Sequence, residues 1–393
     1  MNSKKSIVVG INASFIRKPN TGIGQVSLNF IRKLAALDNE TKYILYLEED
    51  LPKKFKLPKN FEKRIFLPTF WKRDDLIRKI WWEKCLLPKK IRKDNCDIFF
   101  SLYQSTSVFR NAGVKHFMLV HDIIPKLFPQ YLNNSRKRCY QKMTEFAIKK
   151  ADKILTVSRR TEKDLIQHLQ IDPEKISVNY IDVDEAFKSR PDEKNIAKVL
   201  RKYRLKPGYI LAGGGLELRK NIEGVIRAYH HLNERYKSLE LPLLVIYGKL
   251  LPALAPLVTD GEKLARELNL TKKIKFLDMT PQAEMPALFS QALMFVYPSH
   301  YEGFGMPPLE AMNQGIPTIV GKNSSLPEVG GDGVLYCNSD DIYDIAMVMK
   351  NVMSNRDLHQ NLSIRAKMQA EKFSWDKFTE KFLNIIKNVC DTK

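Results

Sequence analysis

The feature that most constrains the fold is an alternation of short apolar runs with helical patterns, which occurs twice along the chain. The first series of runs lies at residues 6–11, 43–47, 65–67, 98–101, 116–120 and 154–157. The second series lies at residues 209–212, 243–247, 274–277, 294–297 and 317–320. Strands that alternate with helices favour a parallel sheet covered by helices on both faces. The sequence therefore predicts two doubly wound α/β domains.

A polar stretch at residues 182–206 separates the two series. We place the N-terminal domain at residues 1–185 and the C-terminal domain at residues 186–372. An amphipathic helix over 373–389 follows without a partner strand. In doubly wound sheets, ligands bind outside the carboxyl ends of the strands, so we expect a ligand in a cleft between the two domains.

The chain is strongly basic, with 65 Lys and Arg against 44 Asp and Glu and a formal net charge of +21. Such a balance attracts polyanions or an anionic membrane surface. Residues 52–93 combine basic residues with aromatic ones at Phe61, Phe66, Phe70, Trp71, Trp81 and Trp82. This stretch fits a membrane-docking or nucleic-acid-binding segment, and it fits equally an ordinary helix over 75–92 whose Trp and Leu residues face the core.

The cysteines and the hydropathy argue against a disulfide-rich, zinc-binding or membrane-spanning protein. Five cysteines without a Cys-x-x-Cys pair suggest neither a disulfide framework nor a zinc site. No stretch approaches the roughly 18 apolar residues of a membrane span, and residues 1–15 do not read as a signal peptide. We expect a cytoplasmic protein that, if it works at a membrane, docks at the inner face.

Two glycine clusters follow predicted strands. Gly22 and Gly24 lie between the first strand and the first helix, where they would let the backbone approach a phosphate or sugar. Ser27 occupies the third glycine position of the dinucleotide fingerprint, which argues against an NAD or FAD enzyme. The other possibility is a tight turn without a ligand.

The second cluster, residues 213–215 with Gly214 at its centre, precedes two cations and a candidate helix N-cap. Arg219 and Lys220 next to a helix capped by Asn221 form a pattern typical of an anion site. The spacing differs from that of a nucleotide-binding P-loop. A basic, capped helix start is the simpler alternative.

Residues 302–310 form the most informative segment. Glycines at 303 and 305 loosen a turn, and prolines at 307 and 308 are typical of a helix start. We expect the backbone amides from Gly305 to Leu309 to face a diphosphate, Glu310 in the first helical turn to reach a ribose, and Glu302 to face a sugar. The predicted donor-binding positions here are Gly305, Met306, Pro307, Leu309 and Glu310. A helix with a dipole-favoured glutamate is the alternative, and a glycosidase pair of carboxylates is disfavoured by the spacing.

His121 and Asp122 follow the predicted strand at 116–120. A histidine at the carboxyl end of a strand is placed to hydrogen-bond a sugar hydroxyl, with Asp122 orienting the ring. A purely structural His–Asp pair is the commoner arrangement.

Together these segments resemble the retaining GT-B glycosyltransferases of the glycosyl transferases group 1 family (family 4), mannosyltransferases in particular. The pieces are residues 22–24, 120–122, 155–158, 219–221, 297–311, 315–317 and 326–332, in family order over nearly the whole chain. The resemblance implies a GT-B fold, two Rossmann-like domains with an interdomain cleft, and a last helix over 373–393 that packs back on the N-terminal domain.

The resemblance also implies roles. Gly22 and Gly24 would lie by the donor diphosphate and sugar, His121 would contact the transferred sugar, and Arg219 and Lys220 would neutralise the leaving diphosphate. Glu302 would contact donor-sugar hydroxyls. No metal or cofactor is expected, which fits the absence of an Asp-x-Asp motif. The first candidate for the donor would be GDP-mannose, and UDP- and dTDP-sugars are the alternatives. The acceptor would be a glycan or lipid-linked glycan of envelope polysaccharide assembly.

Two departures from the family pattern stand out. Gly214 occupies a position where the family often has an arginine, so charge neutralisation would depend more on Arg219 and Lys220. Residues 179–183 replace the usual turn at the domain junction. Two other functions stay open: a GT-B-fold sugar-nucleotide epimerase, and a nucleic-acid-binding protein, for which no recognisable motif is present.

Overall fold

The computed structural model describes residues 7–52, 55–66, 75–109, 113–238, 240–248 and 257–391. The chain divides into two compact units. One unit comprises Met1–Asp182 together with Ser374–Lys393, and the other comprises Val183–Phe373. Each unit is built around its own parallel sheet.

The first unit contains a seven-stranded sheet of order β3-β2-β1-β4-β5-β6-β7, in which every paired strand is parallel. The strands are β1 (Val8–Asn12), β2 (Lys42–Leu47), β3 (Phe61–Ile65), β4 (Ile98–Ser101), β5 (Lys115–Val120), β6 (Lys153–Thr156) and β7 (Ile176–Val178). Central strands such as β4 are buried along their whole length. Burial on both faces explains why they read as continuous apolar runs and not as alternating ones.

Among the described residues, six helices of the first unit precede its last strand. They are α1 (Gly22–Leu37), α2 (Asp75–Trp81), α3 (Leu87–Lys93), α4 (Ile124–Leu127), α5 (Ser135–Lys150) and α6 (Arg159–Leu169). A π-helical segment, Trp82–Leu86, joins α2 to α3 without a break. A π-helical turn shifts the side chains that follow it around the helix axis, and such turns often accompany functional sites.

The second unit contains a six-stranded parallel sheet of order β10-β9-β8-β11-β12-β13. Its strands are β8 (Tyr209–Gly213), β9 (Leu244–Tyr247), β10 (Ile274–Leu277), β11 (Ala292–Tyr297), β12 (Thr318–Gly321) and β13 (Leu335–Cys337). The helices are α7 (Glu193–Tyr203), α8 (Ile222–Arg235), α9 (Gly261–Glu267), α10 (Met285–Ser290), α11 (Met306–Asn313), α12 (Leu326–Gly330), α13 (Ile342–Ser354) and α14 (Arg356–Ala370).

The last helix, α15 (Trp375–Asp391), belongs to the first unit and packs on α1. Phe378 and Phe382 both meet the ring of Phe30 edge-on, with centroids 5.3 and 5.1 Å away. Lys33 and Asp376 form an ion pair of 2.9 Å beside them. Aromatic edge-to-face packing of fully buried rings therefore holds this helix to α1.

The predicted fold class is confirmed, since two doubly wound parallel sheets are present. Two predicted strands, 98–101 and 274–277, match the structure at both ends. The strand predicted at 65–67 is wrong: β3 ends at Ile65, and residue 67 lies outside the described residues. β7 and β13 were not predicted, because strands of three residues at the sheet edges carry too little apolar pattern.

Each sheet reverses its strand order once, between β1 and β4 in the first unit and between β8 and β11 in the second. At such a point the connections leave the sheet in opposite directions, which opens a crevice at the carboxyl ends of the two strands. We refer to these two places as the β1/β4 and β8/β11 switch points.

Candidate functional site

The β8/β11 switch point begins with glycines at which a larger residue would be strained. A Cβ added at Gly213 would lie 2.1 Å from the carbonyl oxygen of Tyr247, and one at Gly214 would lie 3.0 Å from Cγ of Pro307. Both glycines have positive φ, 140° and 91°. The turn after β8 thus lies directly on the first turn of α11 because it lacks side chains.

A compact ionic network lies at the same place. One carboxylate oxygen of Glu302, Oε1, accepts hydrogen bonds from Arg219 Nη1 at 2.8 Å and Lys220 Nζ at 3.4 Å. The same oxygen accepts from the hydroxyls of Tyr297 at 2.7 Å and Ser299 at 2.9 Å. Lys220 also donates to the Tyr297 oxygen at 2.7 Å. These contacts make Glu302 the centre of the network and leave Oε2 as its second acceptor.

The network fixes the charge state of Glu302. Burial by itself raises the pKa of this carboxyl, but the charges of Lys220 and Arg219 and the Tyr297 hydroxyl outweigh burial and lower it to about 2. Burial lowers the pKa of Lys220, while Glu302 opposes that shift. Glu302 is therefore ionised at neutral pH and compensates the two buried cations.

A second carboxylate, that of Glu217, binds one member of the predicted cation pair Arg219 and Lys220. Glu217 Oε2 lies 2.6 Å from Arg219 Nη2, so the guanidinium bridges two glutamates. Burial opposes ionisation of Arg219, but Glu302 and Glu217 together raise the pKa of Arg219 above its usual value. Lys220 retains spare donor capacity, because its third N–H has no acceptor among the described residues.

Two serines that the sequence analysis did not select hold the backbone of Glu302 in place. Ser324 Oγ accepts from the Glu302 amide at 2.7 Å and donates to the Glu302 carbonyl at 2.6 Å. Ser325 Oγ lies 2.6 Å from the Phe304 carbonyl and 2.9 Å from that of Glu302. No local pattern marks them, because their partners lie more than twenty residues earlier in the chain.

Helix α11 starts at Met306, with Gly305 as its N-cap at φ 121°. The expectation that all amides from Gly305 to Leu309 face a ligand is wrong. Pro307 and Pro308 have no N–H, and the Leu309 amide donates to the Gly305 carbonyl at 3.2 Å. The amides of Gly305 and Met306 have no protein acceptor among the described residues, so two donors remain at this helix end.

Glu310 is the fifth residue of α11 and lies in its second turn, so its predicted place in the first turn is wrong. The helix begins one residue earlier than the proline pair suggested. The side chain is buried, and among the described residues the Gln282 amide alone donates a hydrogen bond to it, at 3.3 Å. Burial raises the pKa of Glu310 to about 8. In contrast to Glu302, this carboxyl is largely uncompensated.

Asn221 is confirmed as the N-cap of α8. Its side chain accepts from the Gly224 amide at 3.1 Å and donates to the Ser339 carbonyl at 2.7 Å. The cap fixes the short 3₁₀ segment Leu218–Lys220, which carries both cations, against the end of β8.

The predicted glycine turn of the first unit is part of a helix. Gly22 is the first residue of α1, and the Gly24 amide donates to the N-cap Thr21 at 3.2 Å. A Cβ at Gly24 would lie 2.1 Å from the Lys18 carbonyl, whereas one at Gly22 would meet nothing within 4 Å. Gly24 is thus required by the preceding loop, and Gly22 is not required by packing.

His121 lies buried after β5, at the carboxyl edge of the first sheet. Its Nε2 donates to the Leu102 carbonyl at 2.9 Å, which leaves the ring neutral with Nδ1 as the acceptor. Burial lowers the pKa of His121 to about 4. The hydrogen bond to the Leu102 carbonyl orients the ring, and Asp122 accepts from the Ile124 amide at 3.0 Å.

Comparison with known proteins gives these residues a context. The family model of glycosyl transferases group 1 matches residues 193–369, and that of Glycosyltransferase Family 4 matches residues 20–186. The chain belongs to the group 1 glycosyltransferases. O-antigen chain mannosyltransferase B of Escherichia coli is similar to this glycosyltransferase, with 28% identity over 95% of this chain and 97% of its own length. O-antigen chain mannosyltransferase RfbU of Salmonella typhimurium strain LT2 is 27% identical over 87% of this chain and 90% of its own.

Solved structures show the GT-B fold. The crystal structure of Anabaena HepE in complex with UDP and glucose superposes with a TM-score of 0.72 at 15% identity, and the match covers 97% of this glycosyltransferase and 99% of that chain. This likeness establishes the fold. The ligands of this chain have to be inferred from the chemistry of its own residues.

Within the basic aromatic stretch at 52–93, residues 61–65 form β3 and residues 75–93 are helical, as α2, the π-helical segment and α3. Trp82 is buried in the core of the first unit, which confirms the helical interpretation for that residue. Phe70 and Trp71 lie outside the described residues. No helix in the described ranges combines the length and apolar character that crossing a bilayer requires. In the same ranges, no group of three or more His, Cys, Asp or Glu side chains is placed to hold a metal ion.

Proposed function

We propose that this glycosyltransferase transfers a hexose, with mannose as the first candidate, from a nucleoside diphosphate sugar to a glycan or lipid-linked glycan of envelope polysaccharide assembly, with retention at the anomeric carbon. The names of the two O-antigen mannosyltransferases support mannose and this class of acceptor. The UDP and glucose named for HepE support a nucleotide and a hexose as ligand types.

The observation that carries the proposal is the set of donors at the β8/β11 switch point. Lys220 has one spare N–H, and the amides of Gly305 and Met306 have no protein acceptor among the described residues. The start of α11 adds the partial positive charge of its dipole. Fixed donors of this kind suit a diphosphate and stabilise the charge that grows on it as it leaves.

The proposed reaction breaks the bond between the anomeric carbon and the diphosphate oxygen. The acceptor hydroxyl oxygen forms its bond to the anomeric carbon on the face that the diphosphate vacates. The hydroxyl proton passes to an oxygen of the leaving diphosphate, so no protein base is needed. Arg219 and Lys220 stabilise the leaving charge electrostatically.

The two glutamates have different proposed roles. Glu302 Oε1 already accepts four hydrogen bonds, so a contact with a donor-sugar hydroxyl falls to Oε2. Glu310 is proposed to bind the ribose diol, because a buried carboxyl with one weak partner has free acceptor sites for two hydroxyls. His121 keeps its proposed contact with the transferred sugar through the free Nδ1.

A thermal-shift screen with GDP, UDP and dTDP tests the donor first. The nucleotide that binds the folded protein raises its melting temperature by mass action. We expect GDP to give the largest shift, and no shift from any of the three would contradict the proposal. GDP-mannose and a mannose-terminated acceptor then give a product whose anomeric configuration is read by NMR; conversion of the donor without an acceptor would indicate an epimerase instead.

We also propose that the enzyme docks at an anionic membrane surface through its basic surface, as the net charge of +21 favours. Flotation with vesicles of anionic and of neutral lipids tests this. Salt-sensitive binding to the anionic vesicles is expected, and equal recovery with both kinds would contradict it.

A further inference from the structure

The β1/β4 switch point of the first unit has an organised polar surface of its own. Asn12 ends β1, and Tyr103 follows the end of β4. The Tyr103 hydroxyl lies 3.0 Å from Asn12 Nδ2 and 2.9 Å from Ser14 Oγ. These groups are buried, so this end of the sheet is a polar floor with a fixed geometry.

Lys79 of α2 extends over this floor. Its ammonium nitrogen lies 5.0 Å from the ring centroid of Phe15, 4.8 Å from that of Tyr103 and 4.7 Å from that of Tyr140. The Lys79 side chain retains 23% of its exposure. The ammonium is therefore enclosed by three aromatic rings, on a side chain that is partly exposed.

The Lys79 ammonium has no hydrogen-bond acceptor among the described residues. The nearest carboxylate oxygen, Glu83 Oε1, lies 3.9 Å away, beyond hydrogen-bond distance. Glu83 is already satisfied: Oε2 accepts from the Thr106 amide at 2.8 Å and from the Tyr140 hydroxyl at 3.1 Å. No described residue accepts a hydrogen bond from the Lys79 ammonium.

The electrostatic surroundings make this position unfavourable for a cation. Burial lowers the pKa of Lys79, the charge of Glu83 opposes that shift, and the neighbouring charge of Lys18 adds to it. Lys84, one turn further along the same helical stretch, is exposed to water. A cation that is held over a polar floor among fixed rings, and not turned to solvent, is arranged for a ligand with negative charge.

We propose that Lys79 and its three rings bind a phosphoryl group of the acceptor at the β1/β4 switch point. The inference rests on the proposed function and specifies its acceptor: a glycan that carries a phosphate or diphosphate close to the sugar that is extended. The N–H groups of Lys79 donate to the phosphoryl oxygens, and the half-buried rings of Phe15 and Tyr140 contact the apolar face of the adjoining sugar.

The test compares two acceptors that share one mannose-terminated oligosaccharide. One is linked through a diphosphate to a short lipid, and the other is an uncharged alkyl glycoside. Lys79→Met is expected to raise KM for the diphosphate-linked acceptor at least tenfold and to change KM for the neutral glycoside less than twofold. Lys79→Arg retains the charge and is expected to stay near wild type, as is the exposed control Lys84→Met.

Two results of this assay would overturn the inference. An equal loss with both acceptors would make Lys79 a structural residue. A weaker Kd of the nucleoside diphosphate in Lys79→Met would assign the lysine to the donor. Melting temperatures of the variants verify folding, and Lys79→Arg keeps the comparison valid if Lys79→Met does not fold.

A binding measurement separates this inference from the proposed function. Inorganic phosphate and diphosphate are titrated calorimetrically into enzyme whose donor site is saturated with nucleoside diphosphate. The wild type is expected to bind diphosphate at least tenfold more tightly than Lys79→Met does, and phosphate more weakly than diphosphate. If no nucleotide sugar gives transfer but this difference is found, the proposed function fails and the anion site stands. If transfer occurs and the two proteins bind both anions alike, the anion site fails and the function stands.

Discussion

The two switch points of the molecule have the same topology and opposite chemistry. At β8/β11 the strand ends in glycines, and a buried carboxylate, Glu302, compensates two cations within 3.4 Å. At β1/β4 the strand ends carry bulky polar side chains, and the cation Lys79 has aromatic rings around it. The parallel sheet determines where a ligand binds, while the residues at the strand ends determine its kind.

The difference has a physical meaning for the ligands. Glycines and free amides allow a diphosphate to approach the backbone closely, so the β8/β11 point suits a small, highly charged group. Rings and a single ammonium at the β1/β4 point suit a larger ligand with one charged part. The following predictions test this division of roles, beginning with the largest effect.

The largest effect is expected for Lys220→Ala at the β8/β11 point. Removal of one preorganised donor to developing negative charge lowers kcat by about 10²–10³-fold. Steady-state kinetics with the cognate nucleotide sugar measures it. The exposed Lys263→Ala in α9 is the matched control and is expected to be within twofold of wild type. If Lys220→Ala turned over at nearly the wild-type rate, the β8/β11 switch point would have no part in the transfer reaction.

Glu302→Gln tests whether this carboxylate compensates the cations. The pKa of Glu302 is about 2 in the folded protein, lower than the value of about 4.3 expected in the unfolded chain. Its ionisation therefore stabilises the fold above pH about 4.3, and that contribution is lost as the pH falls towards 2. We expect the variant to lose about 3 kcal/mol of unfolding free energy at pH 7 and about half of that at pH 3.

Urea denaturation at the two pH values measures this loss, with the exposed Glu267→Gln as the control. The control is expected to change the unfolding free energy by less than about 0.5 kcal/mol. A loss of the same size at both pH values would contradict the charge argument for Glu302.

The glycines of the two units should respond differently to a methyl group. Gly214→Ala forces a positive φ on alanine and brings Cβ within 3.0 Å of Pro307, so we expect a loss of about 1–3 kcal/mol. Gly22→Ala meets nothing within 4 Å at the start of α1 and is expected to leave stability unchanged or raise it by less than about 1 kcal/mol. Thermal melting compares the two variants, and equal effects would contradict a requirement for glycine at position 214 that position 22 does not share.

Glu310→Gln tests the proposed ribose contact through pH. The carboxyl, with a pKa raised to about 8, is largely protonated at neutral pH, and a diol that donates two hydrogen bonds favours its ionised form. Nucleotide affinity is therefore expected to rise as the pH increases to about 8, by at most about tenfold per pH unit, and to level off above it. Calorimetry from pH 6 to 9 measures this, and Glu310→Gln should give a flat profile. A flat profile in the wild type would exclude the ribose role.

Most of the fold follows from the spacing of apolar residues. Fully buried strands such as β8 and β9 form uninterrupted apolar runs, so their bounds are readable from the sequence to within one residue. The starts of α1 and α11 were misjudged for local reasons. Thr21 is a cap signal that precedes the glycines, and Pro307 occupies the second helical position, whereas we expected the pair to open the helix.

The site was only partly predictable. Arg219, Lys220 and Glu302 lie in segments with a local pattern, and the structure brings these three side chains together. The Lys79 surface had no local signal, because Asn12, Tyr103 and Tyr140 are brought to it from strand ends and a helix far apart in sequence. The same holds for Ser324 under Glu302. Such contacts exist only once the sheets have formed.

The most direct test of the account compares a nucleoside diphosphate with its nucleoside. Calorimetry gives Kd for both ligands in the wild type and in Lys220→Ala, with the base chosen by thermal shift. We predict that the wild type binds the diphosphate at least about a hundredfold more tightly than the nucleoside. In Lys220→Ala this advantage should fall to about tenfold or less while the Kd of the nucleoside stays the same. An undiminished advantage in the variant would contradict a diphosphate site at the β8/β11 switch point.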